Sequence, residues 1–299
     1  MNMHQSESSA STQNESANKK PSVLTYTVDS FEDGIAFGQH ILAEGQDPRS
    51  FYALRLQDDS DLIRLRSRYS LHQKNPFHEL EKHLMRLSSQ GVLRSSVLYF
   101  GVTTDPFLPF QGKFDATMKF LDLFNKYTPG LLVVQTRSPL IVLAMPVLQK
   151  LGKHAAVTMG IETPVESIAQ RYTPGLPRVE ERFKAATALK RFGIEVTLQV
   201  APVLPYGDWK KDANAFAEKL VSSADYVHIN ALTDGSEKTE RKVRMTTLAK
   251  KLAEDRQFFY LRPDTAKPLL NAIEALKPEA LKQPCRAQLQ PKQMKMFAA

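Results

Sequence analysis

The sequence has little of what most quickly identifies a protein. Among 299 residues there is a single cysteine, Cys285. One thiol excludes an intramolecular disulfide. It also excludes any zinc or iron–sulfur site built from several cysteines of this chain. Long apolar runs are missing too. The longest mostly apolar stretch, Pro139 to Leu148, is about half of what a bilayer-spanning helix needs. The N-terminus is polar and has no apolar core of a secretory signal, so a cytoplasmic protein is expected. Neither a glycine-rich phosphate loop nor a G-x-S-x-G nucleophile turn occurs. The length allows one large domain or two medium ones.

The net charge is +8 and is unevenly placed. Residues 241–299 hold 13 Lys and Arg against 5 Asp and Glu, which accounts for the whole excess. A basic zone of this kind attracts phosphate backbones with a salt-dependent, sequence-independent affinity. Arg241, Lys242, Arg244, Lys250 and Lys251 are therefore candidate nucleic-acid contacts, with DNA as the expected partner. The plain alternative is a solvated helix face followed by a basic tail.

Along the chain, residues 1–21 carry almost no bulky apolar side chain and read as a disordered leader. An alternation of apolar strands and amphipathic helices follows. Strands are expected at Ser50–Gln57, Ser96–Thr103, Leu131–Gln135, Ala155–Ile161, Glu195–Val203 and Tyr226–Leu232. Helices are expected at Pro76–Gln90, with Leu80, Leu84 and Leu87 on one face, and at Phe114–Tyr127, with Met118, Leu121 and Phe124 on one face. Further helices are expected at Pro139–Leu151 (capped by Ser138), Val179–Phe192 (stopped by Gly193), Trp209–Ser222 and Glu240–Asp255, the last strongly basic. Six strand–helix units with short links imply an α/β fold with a parallel sheet, flat or curled into an open barrel. The domain is expected to span residues 22–276, with a flexible basic tail from 277 to 299.

In such folds ligands gather beyond the carboxyl ends of the strands. The residues that follow the strands carry a specific pattern. Thr104-Asp105-Pro106-Phe107, then Pro109 and Gln111, follow the second strand. Thr136-Arg137-Ser138-Pro139-Leu140 follow the third. The fourth unit has Thr163, Thr173-Pro174-Gly175-Leu176-Pro177 and Glu180-Glu181-Arg182-Phe183. Then come Gly193-Ile194-Glu195-Val196 and Val200-Ala201-Pro202-Val203-Leu204-Pro205. In this order, over about residues 96–232, the run resembles the radical S-adenosylmethionine superfamily in its spore photoproduct lyase-like (DNA repair photolyase-like) branch. That branch has T-D-P-Y-x-P-x-E, T-K-S-P-L, E-P-G-x-P and V-A-P-V-x-P at these places. The resemblance implies an open parallel (βα)6 partial barrel. It also implies that Thr104, Asp105, Arg137, Ser138, Thr163 and Pro202 stand where that family holds S-adenosylmethionine.

One departure changes the implied activity. The family carries a C-x-x-x-C-x-x-C loop for a four-iron four-sulfur cluster after the first strand. The corresponding stretch here, Asp58–Asn75, has no cysteine. Without three thiolates there is no cluster and no electron source for reductive cleavage of the cofactor. His72 and His78 lie nearby but lack the i, i+4 spacing of a helical metal pair, and no metal site is expected. The stretch instead has alternating Arg64, Arg66 and Arg68, which on extended backbone point one way and suit phosphates, or else decorate a solvated edge strand. Glu162 and Glu166 near the fourth strand end, and His228 with Asn230 on the sixth strand, are the remaining acid–base candidates.

Near the C-terminus, Gln293-Met294-Lys295-Met296-Phe297 resembles the bacterial sliding-clamp-binding peptide Q-L-S/D-L-F. Gln293 would fix register, and Met294, Met296 and Phe297 would fill a groove. The sequence thus points first to a cluster-less, DNA-associated accessory factor in repair or replication, recruited through its tail. The competing reading is an enzyme that uses S-adenosylmethionine or another small ligand without radical chemistry. A third is a subunit that borrows a cluster-bearing partner.

Overall fold

A computed structural model describes residues 24–31 and 34–41 as backbone, and residues 76–102, 105–107 and 113–282. Its strands are β1 (Leu24–Phe31), β2 (Gly34–Ile41), β3 (Val97–Phe100), β4 (Leu131–Thr136), β5 (Ala155–Gly160), β6 (Glu195–Val200) and β7 (Tyr226–Ile229). They form one sheet in the order β2-β1-β3-β4-β5-β6-β7. β2 is antiparallel to β1, and every other neighbouring pair is parallel. Six parallel strands laid side by side in chain order, with an open order at both ends, are the partial barrel that the sequence implies.

The strand beside β3 is β1 rather than Ser50–Gln57, which lies outside the described residues. From β3 onward the expected strands are present within a few residues. The reason is burial: β3, β4 and β5 are buried along their whole length. Parallel strands covered on both faces read as continuous apolar runs.

Helices α1 (Pro76–Ser89), α2 (Lys113–Lys126), α3 (Met145–Leu151), α4 (Glu166–Tyr172), α5 (Val179–Arg191) and α6 (Ala213–Ser223) fill the crossovers. Leu80, Leu84 and Leu87 of α1 are buried as their spacing requires. They join Leu98, Phe100, Leu132, Val134, Val157, Leu198 and Val227 in the main core, so these strand residues mark the helix-covered face of the sheet. The alternate residues Val97, Tyr99, Leu131, Val133 and Ala156 form a separate cluster on the other face.

The C-terminal part departs from expectation in two ways. The single basic helix expected at 240–255 is two helices, α7 (Glu237–Arg244) and α8 (Thr247–Glu254). Ser236 caps the first, its hydroxyl accepting from the Thr239 amide. Thr246 caps the second by accepting from the Ala249 amide, so the chain turns at Met245. The fold also continues past 277. After α9 (Lys267–Leu276), which packs along α6, a 3-10 turn at Pro278–Leu281 lies against β7 and buries Ala280. No helix among the described residues is long and apolar enough to cross a membrane.

Candidate functional site at the strand ends

Parallel strands deliver their carboxyl ends to one rim. At β3 the chain leaves through Gly101, whose φ of +86° suits glycine. A Cβ there would stand 2.5 Å from Pro106 Cδ and 2.7 Å from the Gln135 carbonyl oxygen. Glycine thus lets the loop cross the end of β4 and bring Asp105 onto it.

Asp105 is fully engaged there. Its Oδ1 accepts from the Phe107 amide (2.9 Å) and the Thr136 hydroxyl (2.7 Å), and its Oδ2 accepts from the Arg137 amide (2.6 Å). Thr136 Oγ1 in turn accepts from the Ser138 amide at 2.9 Å. Ser138 caps the 3-10 turn Pro139–Ala144 through the Leu140 amide. The loop is tied back to α2 by the buried Thr117 hydroxyl, which donates to the Pro106 carbonyl at 2.7 Å.

Arg137 reaches sideways across β5. Its side chain lies over Gly160, where a Cβ would be 2.9 Å from its Cγ and Nε. Arg137 Nε donates to Glu162 Oε1 at 2.6 Å, while Arg182 on α5 donates to Glu162 Oε2 at 2.9 Å and to the Gly160 carbonyl at 2.8 Å. Side-chain exposure is 24% for Arg137, 1% for Glu162 and 0% for Arg182. One buried carboxylate thus bridges two guanidinium groups. Burial pushes the Glu162 pKa up, but the charges of Arg137 and Arg182 and their hydrogen bonds outweigh it and hold the carboxyl below its usual range. Arg182 Nε and its second terminal nitrogen have no hydrogen-bond partner among the described residues.

Arg182 is the site residue that sequence reasoning missed as a functional position. The signal was present: three residues after Val179 and four before Ala186, it sits on the buried stripe of α5. Glu162 was a candidate with no assignable partner, and the fold supplies two. Glu166 has a different task. Its Oε2 accepts from the Val179 amide at 2.8 Å and so caps α5.

The other residues assigned by resemblance are also engaged in the scaffold. The Thr163 hydroxyl donates to the Pro205 carbonyl (2.6 Å) and accepts from the Val165 amide (3.2 Å). Pro202 is buried and follows a cis peptide bond. Asn230 bonds through its backbone to Val200 and Val203. The face of the sheet away from the helices becomes polar toward these ends. Gln135, Thr158 and Thr197 lie in one register row, and Gly160, Gln199 and His228 in another. Gln135 Nε2 is buried and has no hydrogen-bond partner among the described residues.

The basic zone is carried by the helices that follow β7. Arg241, Lys242 and Arg244 are exposed on α7, whose only buried residue is Val243. Arg244 pairs with Glu240 at 3.3 Å. On α8, Leu248, Ala249 and Leu252 face inward, Lys250 is exposed and Lys251 is half-buried. Arg241, Lys242 and Lys250 enter no ion pair among the described residues. Just past α8, Asp255 accepts two hydrogen bonds from Arg171 (3.0 and 2.9 Å) and one from the Tyr172 hydroxyl (2.8 Å), which fixes the pair of helices to α4. Thr104, Arg64, Arg66, Arg68, Cys285, Gln293, Met294, Met296 and Phe297 lie outside the described residues.

Comparison with solved structures finds spore photoproduct lyases among the similar chains. A spore photoproduct lyase variant with dinucleoside spore photoproduct matches at 12% identity and a TM-score of 0.47, over 67% of this chain and 65% of that one. Another variant, with bound AdoMet and the same dinucleoside, matches at 12% identity and a TM-score of 0.45, over 67% and 65%. The lyase complexed with dinucleoside spore photoproduct matches at 12% and 0.46, over 71% and 66%. The chain spans just under two thirds of those proteins. No protein-family model matches this sequence, and no curated protein matches it.

The donor set does not fit the cluster that the sequence resemblance implies. The whole chain has one thiol where the cluster needs three. Among the described residues no three His, Cys, Asp or Glu side chains are grouped to hold a metal.

Proposed function

We propose that this chain is a DNA-associated accessory factor in repair or replication, built on a radical-enzyme fold without cluster chemistry. The observation that carries the reading is the outward cationic face of α7 and α8, where Arg241, Lys242 and Lys250 are exposed and unpaired among the described residues. Cations left exposed to water can replace the counterions of a phosphate backbone. At the strand ends, by contrast, Asp105, the Nε of Arg137 and the Thr163 hydroxyl are committed to the scaffold.

The test is binding of a labelled duplex as a function of salt. The variant Arg241→Ala/Lys242→Ala/Lys250→Ala should bind more weakly, with a log–log salt slope shallower by about 3. Unchanged binding by that variant would sink the reading. So would a turnover reaction that Asp105→Ala or Arg137→Ala abolishes while the triple variant leaves it intact. Arg64, Arg66 and Arg68 are proposed as further phosphate contacts. The Gln293–Phe297 peptide is proposed as the recruitment segment. Purified sliding clamp should retain the full chain on a column and let pass a chain truncated before Gln293.

A second reading, a small-ligand enzyme of non-radical chemistry at the strand ends, has one observation in its favour. The buried Gln135 amide nitrogen has no hydrogen-bond partner among the described residues, on a face that turns polar toward the rim. Calorimetric titration with S-adenosylmethionine tests it, with Gln135→Leu as the variant that should lose the heat signal.

A further inference from the structure

The sequence contains one tryptophan, Trp209, in the loop that follows β6 at the carboxyl-end rim. It is half-buried, and one face of its indole stacks on Phe259 with centroids 4.2 Å apart and planes 10° off parallel. Phe259 belongs to the 3-10 turn Phe258–Leu261 that follows α8, so the ring pair adjoins the end of the cationic helices. The pair rests on the core: Tyr206 and Tyr260 are buried beneath it, Tyr260 meets Phe259 edge-on, and the Tyr206 hydroxyl donates to the Trp209 carbonyl at 3.4 Å.

The stack is capped by cations. Lys210 Nζ stands 5.1 Å from the Trp209 ring, and the Arg262 guanidinium stands 6.0 Å from Phe259. The two caps are unequal. Arg262 is held by Asp264 through two hydrogen bonds of 2.9 and 2.7 Å. Lys210 is exposed and in no ion pair among the described residues. The nearby acids serve their own loop: Asp208 accepts from the Lys210 amide and Asp212 from the Asp208 amide, and Lys211 lies 3.8 Å from Asp208.

The geometry points to Trp209 as a stacking platform for an unpaired base of single-stranded DNA, an inference that rests on the DNA reading above. A base needs a rigid aromatic face whose existing cover is displaceable. Lys210 is such a cover: swung aside, its ammonium stays within reach of the phosphate next to the stacked base. The exposed Phe258 lies on the same turn as Phe259, and that turn packs against α8, which carries the exposed Lys250. The class of ligand is therefore unpaired DNA, with the aromatic pair reading base faces and not sequence.

Because Trp209 is the sole tryptophan, intrinsic fluorescence of the full chain excited at the red edge of indole absorption, where tyrosine does not absorb, reads this ring alone. A short oligothymidylate, an abasic strand of equal length and a blunt duplex are titrated at low salt. Oligothymidylate should quench the emission and bind about tenfold more tightly than the abasic strand. Trp209→Ala should remove that preference and leave abasic affinity unchanged, and Trp209→Phe should keep part of it. The wild-type quench needs no variant, so an unfolded Trp209→Ala would not blunt the test. If the strands bind through the α7–α8 cations while emission is unchanged and Trp209→Ala is neutral, the stacking inference alone falls. Equal quenching by the abasic strand sinks it as well. If no strand and no duplex binds, the DNA reading falls with it.

Discussion

Arg137 and Arg182 at the strand ends, and Arg241 and Lys242 on α7, are the same kinds of side chain in opposite surroundings. The first two share Glu162 in a buried network with Asp105 beside it, two positive and two negative charges that balance formally. The second two stand in water with no ion pair among the described residues. A charge taken out of water must be paired or the fold suffers, whereas an exposed charge is nearly neutral for folding and is free to meet a partner. The strand-end network therefore reads as structure.

That contrast can be broken by measurement. Glu162→Ala leaves Arg182 buried without its carboxylate and should cost about 3–5 kcal/mol in urea denaturation. Glu162→Leu combined with Arg182→Met removes both charges and should recover much of that loss, so that the two changes are far from additive. If the single and double variants lose equally, the network is not what holds Arg182.

The pH dependence follows from the same pairing. The folded-state pKa of Glu162 lies below its unfolded value, so its contribution is full above about pH 4.3 and is lost as pH falls through the folded value. The stability gap between the wild type and Glu162→Gln should be constant at neutral pH and shrink in acid; a gap that grows in acid would contradict the assignment. Thr246→Ala, which removes the cap of α8, should cost about 1 kcal/mol by thermal melting. Last, Arg241→Ala/Lys242→Ala should leave the melting temperature unchanged while making the DNA salt slope shallower by about 2.

Much of the fold is legible in the residues, for a physical reason. Strands buried on both faces, such as Leu131–Thr136 and Ala155–Gly160, must be apolar throughout, and runs like that are hard to mistake. The β1–β2 pair was missed because its strands mix polar and apolar residues. The Asp33-Gly34 dipeptide, in which Gly34 opens β2, is a turn signal present in the sequence. The break between α7 and α8 was hidden by basic residues on both sides of it; Thr246 as a cap was the available clue. At the site, Asp105, Arg137 and Glu162 could be named from their places after strands. Their mutual contacts could not, because Arg182 comes from a helix twenty residues beyond Glu162 and meets it only when α5 packs on the sheet.

The sheet is laid down almost entirely in the order in which the chain is made. From β4 to β7 each strand pairs with the one synthesised just before it, so structure can accumulate as the chain emerges. The exception is the finish. The face of α6 waits for α9, and the edge of β7 waits for the Pro278–Leu281 turn, some fifty residues later. A chain cut short before Lys267 would offer a sheet edge and an apolar helix face to whatever it met first. The C-terminal seal thus separates finished molecules from truncated ones, and chaperones and proteases would find the latter by what the seal leaves bare.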